Sequence, residues 1–278
     1  MSQLNGPFSG GPTLNDGVTM PWLGLGVWQT KDGDEVIRAV KSAVETGYRS
    51  IDTAAGYNNE EGVGQAIREC GVPREELFIT TKVRNPDQGY DSTLKAFEVS
   101  RRKLGLDVID LYLIHWPVAG KYLETWKALI HLQKEGLIKS IGVSNFQIHH
   151  LKDIIEATGV VPVVNQVEFH PLLTQRELLK YCREQGVQLE AWSPLMQGNL
   201  ELPLLHELAG RYGKTPAQIV LRWDLQQGVI TIPKSVHAER ITENAGFFDF
   251  TLSDDDVKAI EDLNQNHRFG PDPDNFNF

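Results

Sequence analysis

Eight short runs rich in β-branched and aromatic residues recur along the chain, at 22–27, 48–52, 77–82, 110–115, 140–144, 163–168, 188–193 and 229–233. The stretches between them carry helical patterning over 35–46, 92–104, 125–135, 149–157, 175–184, 216–226 and 238–245, most with apolar residues at i, i+3 and i+4. Strands separated by helices pair in parallel, and eight such units are the number that closes a barrel. An open doubly wound sheet is the rival, and its nucleotide-binding form needs a glycine-rich turn opening the first helix. Gly24-Leu25-Gly26-Val27-Trp28-Gln29 lacks the third glycine, and no GxxxxGK[ST] occurs. The expected architecture is therefore α/β, a (β/α)8 TIM barrel. A length of 278 residues suits one such domain, of roughly 250 residues, spanning 1–278, with the Gly/Ser/Pro-rich 1–12 as a loose extension.

Barrels of this kind carry their chemistry at the C-terminal ends of the strands. Those positions here hold Trp28, Asp52, Lys82, His115, Ser144 with Asn145, Gln166 and Glu168, Trp192 with Ser193, and Lys234 with Ser235. Apolar layers would suffice for a barrel that served only as scaffold, so a shared ligand pocket is the better cause. Asp52 alone would suit a turn, and Tyr57 alone would suit packing. Four reactive residue types at successive strand ends favour a joint role.

Composition narrows the ligand. The net charge is −10, with no Lys/Arg cluster of five or more, which argues against nucleic acid or an anionic membrane as partner. No apolar run approaches the ~20 residues of a membrane span, and 1–12 has neither a basic nor an apolar signal region. Cys70 and Cys182 belong to no CxxC or Cys/His spacing. A cytoplasmic protein with reduced thiols and a small-molecule ligand is expected. His149, His150 and His170 have no third ligand at a suitable spacing, so surface or capping roles are expected and no metal. Tyr90 and Tyr112 are assigned to packing.

The chemistry follows from the side chains. A phenol with an ordinary pKa near ~10 is a poor acid at neutral pH, but an adjacent ammonium favours its phenolate. Lys82 is placed to do this for Tyr57, with Asp52 holding the lysine protonated and His115 donating from a neutral imidazole to the same substrate oxygen. Such a group of four delivers a proton to a carbonyl oxygen. No side chain carries transferable hydride, so a reduction implies a nicotinamide cofactor. Lys234 and Arg240, flanking the last strand and its helix, suit a phosphate, and two cations favour the 2′-phosphate of NADPH over NADH. Trp192 offers a face for the nicotinamide, while Ser144, Asn145 and Gln166 offer partners for its carboxamide.

These residues sit in runs that resemble the aldo-keto reductase family. The similarity includes Met20-Pro21-Trp22-Leu23-Gly24-Leu25-Gly26, Gly47-Tyr48-Arg49-Ser50-Ile51-Asp52-Thr53-Ala54 and Leu111-Tyr112-Leu113-Ile114-His115-Trp116-Pro117. It continues in Ile141-Gly142-Val143-Ser144-Asn145-Phe146 and Ile232-Pro233-Lys234-Ser235, covering roughly residues 13 to 278. The resemblance implies a monomeric barrel that reduces aldehydes or ketones with NADPH, using Asp52, Tyr57, Lys82 and His115 with Tyr57 as proton donor. It also implies a β-hairpin over 13–20 closing the N-terminal end, and a tail over 264–278 which, with Trp28 and Trp116, walls the pocket. By the same carry-over Ser193, Pro194, Leu195, Gln197 and Gly198 line the pyrophosphate loop. Ile232, Lys234, Ser235, Val236 and Arg240 hold the adenosine phosphate, with Glu243 and Asn244 near the adenine.

Within the family, the short run 116–126 is similar to microbial glyoxal and 2,5-diketogluconate reductases and to protozoan prostaglandin F synthases. Two departures stand out. Where the family has tryptophan two positions after the catalytic lysine, Lys82-Val83-Arg84-Asn85 has Arg84, which would favour acidic substrates or enlarge the pocket. Gly56 precedes Tyr57 where a larger residue is usual, and would loosen its loop. Two other functions remain: a cofactor-binding regulatory or structural barrel without turnover, and a cofactor-free isomerase using Lys82 and His115.

Overall fold

The computed structural model describes residues 10–276 and 278. Strands β1 (Gly24–Gly26), β2 (Ser50–Asp52), β3 (Phe78–Val83), β4 (Ile109–Ile114), β5 (Ile138–Ser144), β6 (Val164–Glu168), β7 (Gln188–Trp192) and β8 (Ile230–Thr231) form one sheet in sequence order. Every neighbouring pair is parallel. Parallel bridges Leu23↔Thr231 and Gly26↔Lys234 join the last segment to the first. The expected barrel is thus formed and closed.

The helices are α1 (Asp34–Thr46), α2 (Glu60–Glu69), α3 (Tyr90–Leu104), α4 (Tyr122–Lys134), α5 (Ile148–Thr158), α6 (Arg176–Gln185), α7 (Pro203–Tyr212), α8 (Pro216–Gln226), α9 (Ala238–Ala245) and α10 (Asp254–Glu261). In α1 the periodic residues Val36, Ala39, Val40, Ala43 and Val44 are the buried ones, as a stripe of period 3.6 requires. Sequence patterning does not anticipate α2, α7 or α10. In α2 the reason is Gly62 and Gly64, poor helix formers that the packing demands. A Cβ on Gly62 would stand 2.5 Å from Val36 Cγ1, and one on Gly64 would stand 2.4 Å from the Leu104 carbonyl oxygen. No helix among the described residues is long and apolar enough to cross a membrane.

Alternation along the strands divides the core in two. Outward residues such as Ile51, Ile79, Tyr112, Ile141 and Val167 pack beneath the helices. Inside, Phe78, Leu111, Leu113, Val164 and Ile230 make a separate apolar floor with Leu14 and Met20. The last two come from the hairpin expected over 13–20, where Thr13 pairs antiparallel with Thr19 and the Gly17 amide donates to the Leu14 carbonyl at 2.9 Å. The hairpin plugs the N-terminal end. Of the extension expected at 1–12, residues 1–9 lie outside the described residues. Gly10 and Pro12, in contrast, accept backbone bonds from Trp22 and Met20, so the chain is already tied down there.

Candidate active site

Above the apolar floor the inward positions turn polar. Asp52 ends β2, Lys82 lies near the end of β3, and β2 and β3 run in register with Asp52 beside Thr80. Lys82 therefore reaches up from the same inward face, two residues further on. Its side chain is wholly buried, and each of the three ammonium protons has a taker: Asp52 Oδ1 at 2.6 Å, the Thr53 carbonyl at 2.9 Å and Tyr57 Oη at 3.3 Å. Tyr57 is delivered by a 3₁₀ turn, Ala55–Tyr57, immediately after β2. His115, one residue past β4, sets its ring edge-on to Tyr57 at 5.5 Å between centroids. The four predicted side chains converge.

Their electrostatics depart from the sequence reading at one point. Lys82 was expected to bring the Tyr57 phenol down, but burial dominates and the pKa is raised; Lys82 opposes this, while Asp52 and Glu190 add to it. Desolvation of the phenolate outweighs one ammonium already shared three ways. Tyr57 thus holds its proton at neutral pH. Burial works against the charge of Lys82, yet Asp52 and Tyr57 more than compensate and its pKa is raised. Burial raises Asp52 too, against the pull of Lys82 and Gln166. His115 is pushed down to about 3 by burial and by the Lys82 charge, so it is a neutral imidazole throughout the ordinary pH range, as expected.

Asp52, Tyr57 and His115 border a cleft of about 530 Å3 at the C-terminal end of the barrel, a volume typical of small-molecule sites, and Lys82 bonds Asp52 and Tyr57 from its buried position. Residues 22–265 match the model of the Aldo/keto reductase family. The chain belongs to that family. It is 62% identical over 271 residues to the uncharacterized oxidoreductase YtbE of Bacillus subtilis, covering 96% of this chain and 97% of that one. It is 58% identical over 266 residues to the glyoxal reductase of the same organism, covering 95% and 96%. A solved structure of a Gox0644 mutant in complex with NADPH superposes with a TM-score of 0.92 at 49% identity, covering 96% of this chain and 98% of that one.

The aldo/keto reductase fold places the other predicted residues as follows. Trp28, Arg84, Trp116, Ser144, Asn145, Gln166, Trp192, Ser193, Gln197, Ile232 and Lys234 line the cleft. Pro194, Leu195, Gly198, Ser235, Val236, Arg240, Glu243 and Asn244 lie outside its lining, on the loop after β7 and on the segment running into α9. Asn145 is held from three sides: its amide donates to the His115 carbonyl and Ser144 Oγ, and its Oδ1 accepts from the Trp192 indole at 2.9 Å. It positions Trp192, and its Oδ1 keeps a second lone pair at the cleft that Asn145 lines. Lys234 and Arg240 are exposed and make no ion pair among the described residues. Two unpaired cations beside a helix start fit a phosphate-bearing ligand. Asn58, Asn145, Ser193 and Gln197, all lining residues, adopt positive φ, and such strained backbone tends to gather at functional sites.

Arg84 does line the cleft, yet its guanidinium is half exposed and Nε meets Asp87 Oδ2 at 2.5 Å, which offsets the cation proposed for acidic substrates. A Cβ on Gly56 would find Arg84 and His115 no nearer than 3.8 Å. Nothing in the packing demands glycine there, so it leaves an open notch beside Tyr57.

Sequence reasoning missed what holds the tail. Buried Glu168 accepts the Phe269 amide at 2.7 Å and bonds the Gly270 amide and the His170 ring. A Cβ on Gly270 would come within 2.4 Å of the Trp192 ring, so only glycine lets the tail lie on the indole. Further along, Trp116 packs against Phe276 and Phe278 at 5.1 and 5.3 Å. The structure also supplies the third ligand type that spacing could not find: Asp274 stands beside His149 and His150. His150 Nδ1, however, accepts the Gln147 amide in a helix cap, which fixes the proton on Nε2 and turns that nitrogen into a donor. The capping role expected for His150 is the one observed.

Proposed function

We propose that the protein is an NADPH-dependent reductase of small aldehydes and α-dicarbonyl compounds. The observation that carries this reading is the run from the buried Asp52–Lys82 pair to the half-buried Tyr57, which opens on the cleft beside a neutral His115. Bound NADPH supplies the hydride to the carbonyl carbon. Tyr57 gives its proton to the carbonyl oxygen, so the substrate gains two hydrogens in all and leaves as the alcohol. Lys82 stabilises the phenolate left behind, Asp52 keeps Lys82 charged, and His115 hydrogen-bonds the reacting oxygen to orient it. Lys234 and Arg240 suit the 2′-phosphate, and Trp192, fixed by Asn145, offers the nicotinamide a flat wall. The α-dicarbonyl preference is supported by the similarity to glyoxal reductase.

The decisive assay follows oxidation of NADPH with methylglyoxal and glyoxal, with NADH in parallel. Steady oxidation, faster with NADPH, is the expected result. Quenching of tryptophan fluorescence by NADPH without any oxidation would make the protein a binding barrel. No quenching at all would remove the cofactor from the account.

A further inference from the structure

Beneath the Asp52–Lys82 pair lies a second carboxyl group that the chemistry above leaves unused. Glu190, on β7, is completely buried. Gln166 Nε2 joins the two acids, donating to Asp52 Oδ2 at 2.7 Å and to Glu190 Oε2 at 2.8 Å. Both amide protons are thereby committed, so the orientation of Gln166 is fixed and its Oε1 is the atom left for the cleft that the residue lines. The other oxygen, Glu190 Oε1, has no partner among the described residues. Resting on the reductase reading above, we propose that Glu190 is a positioning residue of the reaction, which locks the Gln166 amide while keeping the charge around Lys82 in balance.

The charge count explains the second half. Two acids surround one ammonium, and that ammonium is committed to Asp52, Thr53 and Tyr57. The titratable groups facing Glu190 are Asp52 from β2, Lys82 from β3 and Tyr57 from the turn after β2. Its register partners on the two adjoining strands are neutral: Gln166 on β6 and Ile230 on β8. Burial, then the charge of Asp52, pushes Glu190 up to about 8, against the bond from Gln166 and the pull of Lys82. Below that pH Glu190 is neutral and the cluster sums to zero. Proton transfer from Tyr57 then adds one negative charge next to one ammonium. Above it, Glu190 is already negative, and forming the phenolate places a further like charge in a dry site. Tyr57 becomes the weaker acid, and reduction slows.

The test compares the pH dependence of kcat for NADPH-linked reduction in the wild type, Glu190→Gln and Glu190→Leu. In the wild type kcat should fall by about tenfold between pH 7 and 9.5, through a single ionisation. Glu190→Gln keeps an acceptor for Gln166 but cannot ionise, so the ratio of its rates at the two pH values should lie within about twofold. Glu190→Leu also cannot ionise, yet leaves one Gln166 proton without an acceptor; its Kd for NADPH, read by fluorescence, should rise by about tenfold. An alkaline fall in Glu190→Gln equal to that of the wild type, or unaltered NADPH binding in Glu190→Leu, would overturn the assignment. Should Glu190→Gln fail to fold, the pH profile of Glu190→Leu decides the charge argument. Absence of turnover in the wild type at every pH would instead sink the reductase reading itself.

Discussion

On the proposed mechanism Tyr57, Lys82 and Asp52 act as one unit, and their replacements should separate into different failures. Tyr57→Phe keeps the ring but removes the transferable proton. kcat should drop by about 10²–10⁴-fold with the Kd for NADPH unchanged, and retained turnover would refute the proton assignment. Asp52→Asn strips Lys82 of its counter-charge in a fully buried position, where loss of one partner costs about 3–5 kcal/mol. Its unfolding midpoint in urea should shift accordingly. Lys234→Ala should raise the KM for NADPH by about 10–100-fold, from the ~1.5–3 kcal/mol of a charged hydrogen bond, and leave the KM for NADH little changed. Arg84 predicts a small effect. Because Asp87 already pairs with its exposed guanidinium, Arg84→Trp should alter the preference between acidic and neutral aldehydes by no more than about fivefold.

Legibility also varies with the element. Strands with their polar ends were readable because a β-branched run stopped by Asp, Lys or His rarely arises from packing alone, and α1 or α8 because a clean apolar stripe has one cause. Gly62 and Gly64 hid α2, since the feature that lets the helix press against α1 and α3 is the same one that lowers its intrinsic propensity. Pro203 opens α7 at a position where proline is tolerated, and Ser253 with three aspartates starts α10; both are starting signals, on helices of only two or three turns. Gly64→Ala tests the packing account. Ala is the better helix former, yet a methyl 2.4 Å from the Leu104 carbonyl oxygen should destabilise the protein by about 1–3 kcal/mol, and a stabilised variant in thermal melts would contradict it. What no local pattern could reveal is distant contact: Asp274 against His149, Glu168 against Phe269, and Glu190 beneath Asp52 are separated by about a hundred residues of chain or more.

For the molecule as a whole, the barrel is a rigid vessel whose two ends are finished differently. The hairpin floor is largely apolar and locked by the core, while the opposite rim is a strap of tail residues held at Phe269 and Gly270 by one buried acid and elsewhere by Leu172, Asn85 and Trp116. Glu168→Ala should therefore loosen the wall made by Phe269, Gly270 and the following residues. The KM for carbonyl substrates is expected to rise several-fold with kcat less affected, an outcome that a purely structural loss of folded protein would reverse by lowering apparent kcat alone.

The plugged floor also dictates how the site is reset. Leu14, Met20, Phe78 and Ile230 close that end with an apolar layer, whereas Tyr57 borders the cleft at the other end. On the proposed chemistry each turnover ends with Tyr57 one proton short, and the direct way for the refill to arrive is the mouth by which the alcohol departs. Recharging and product release share that passage, and water readmitted at the mouth is what readies the enzyme for its next substrate.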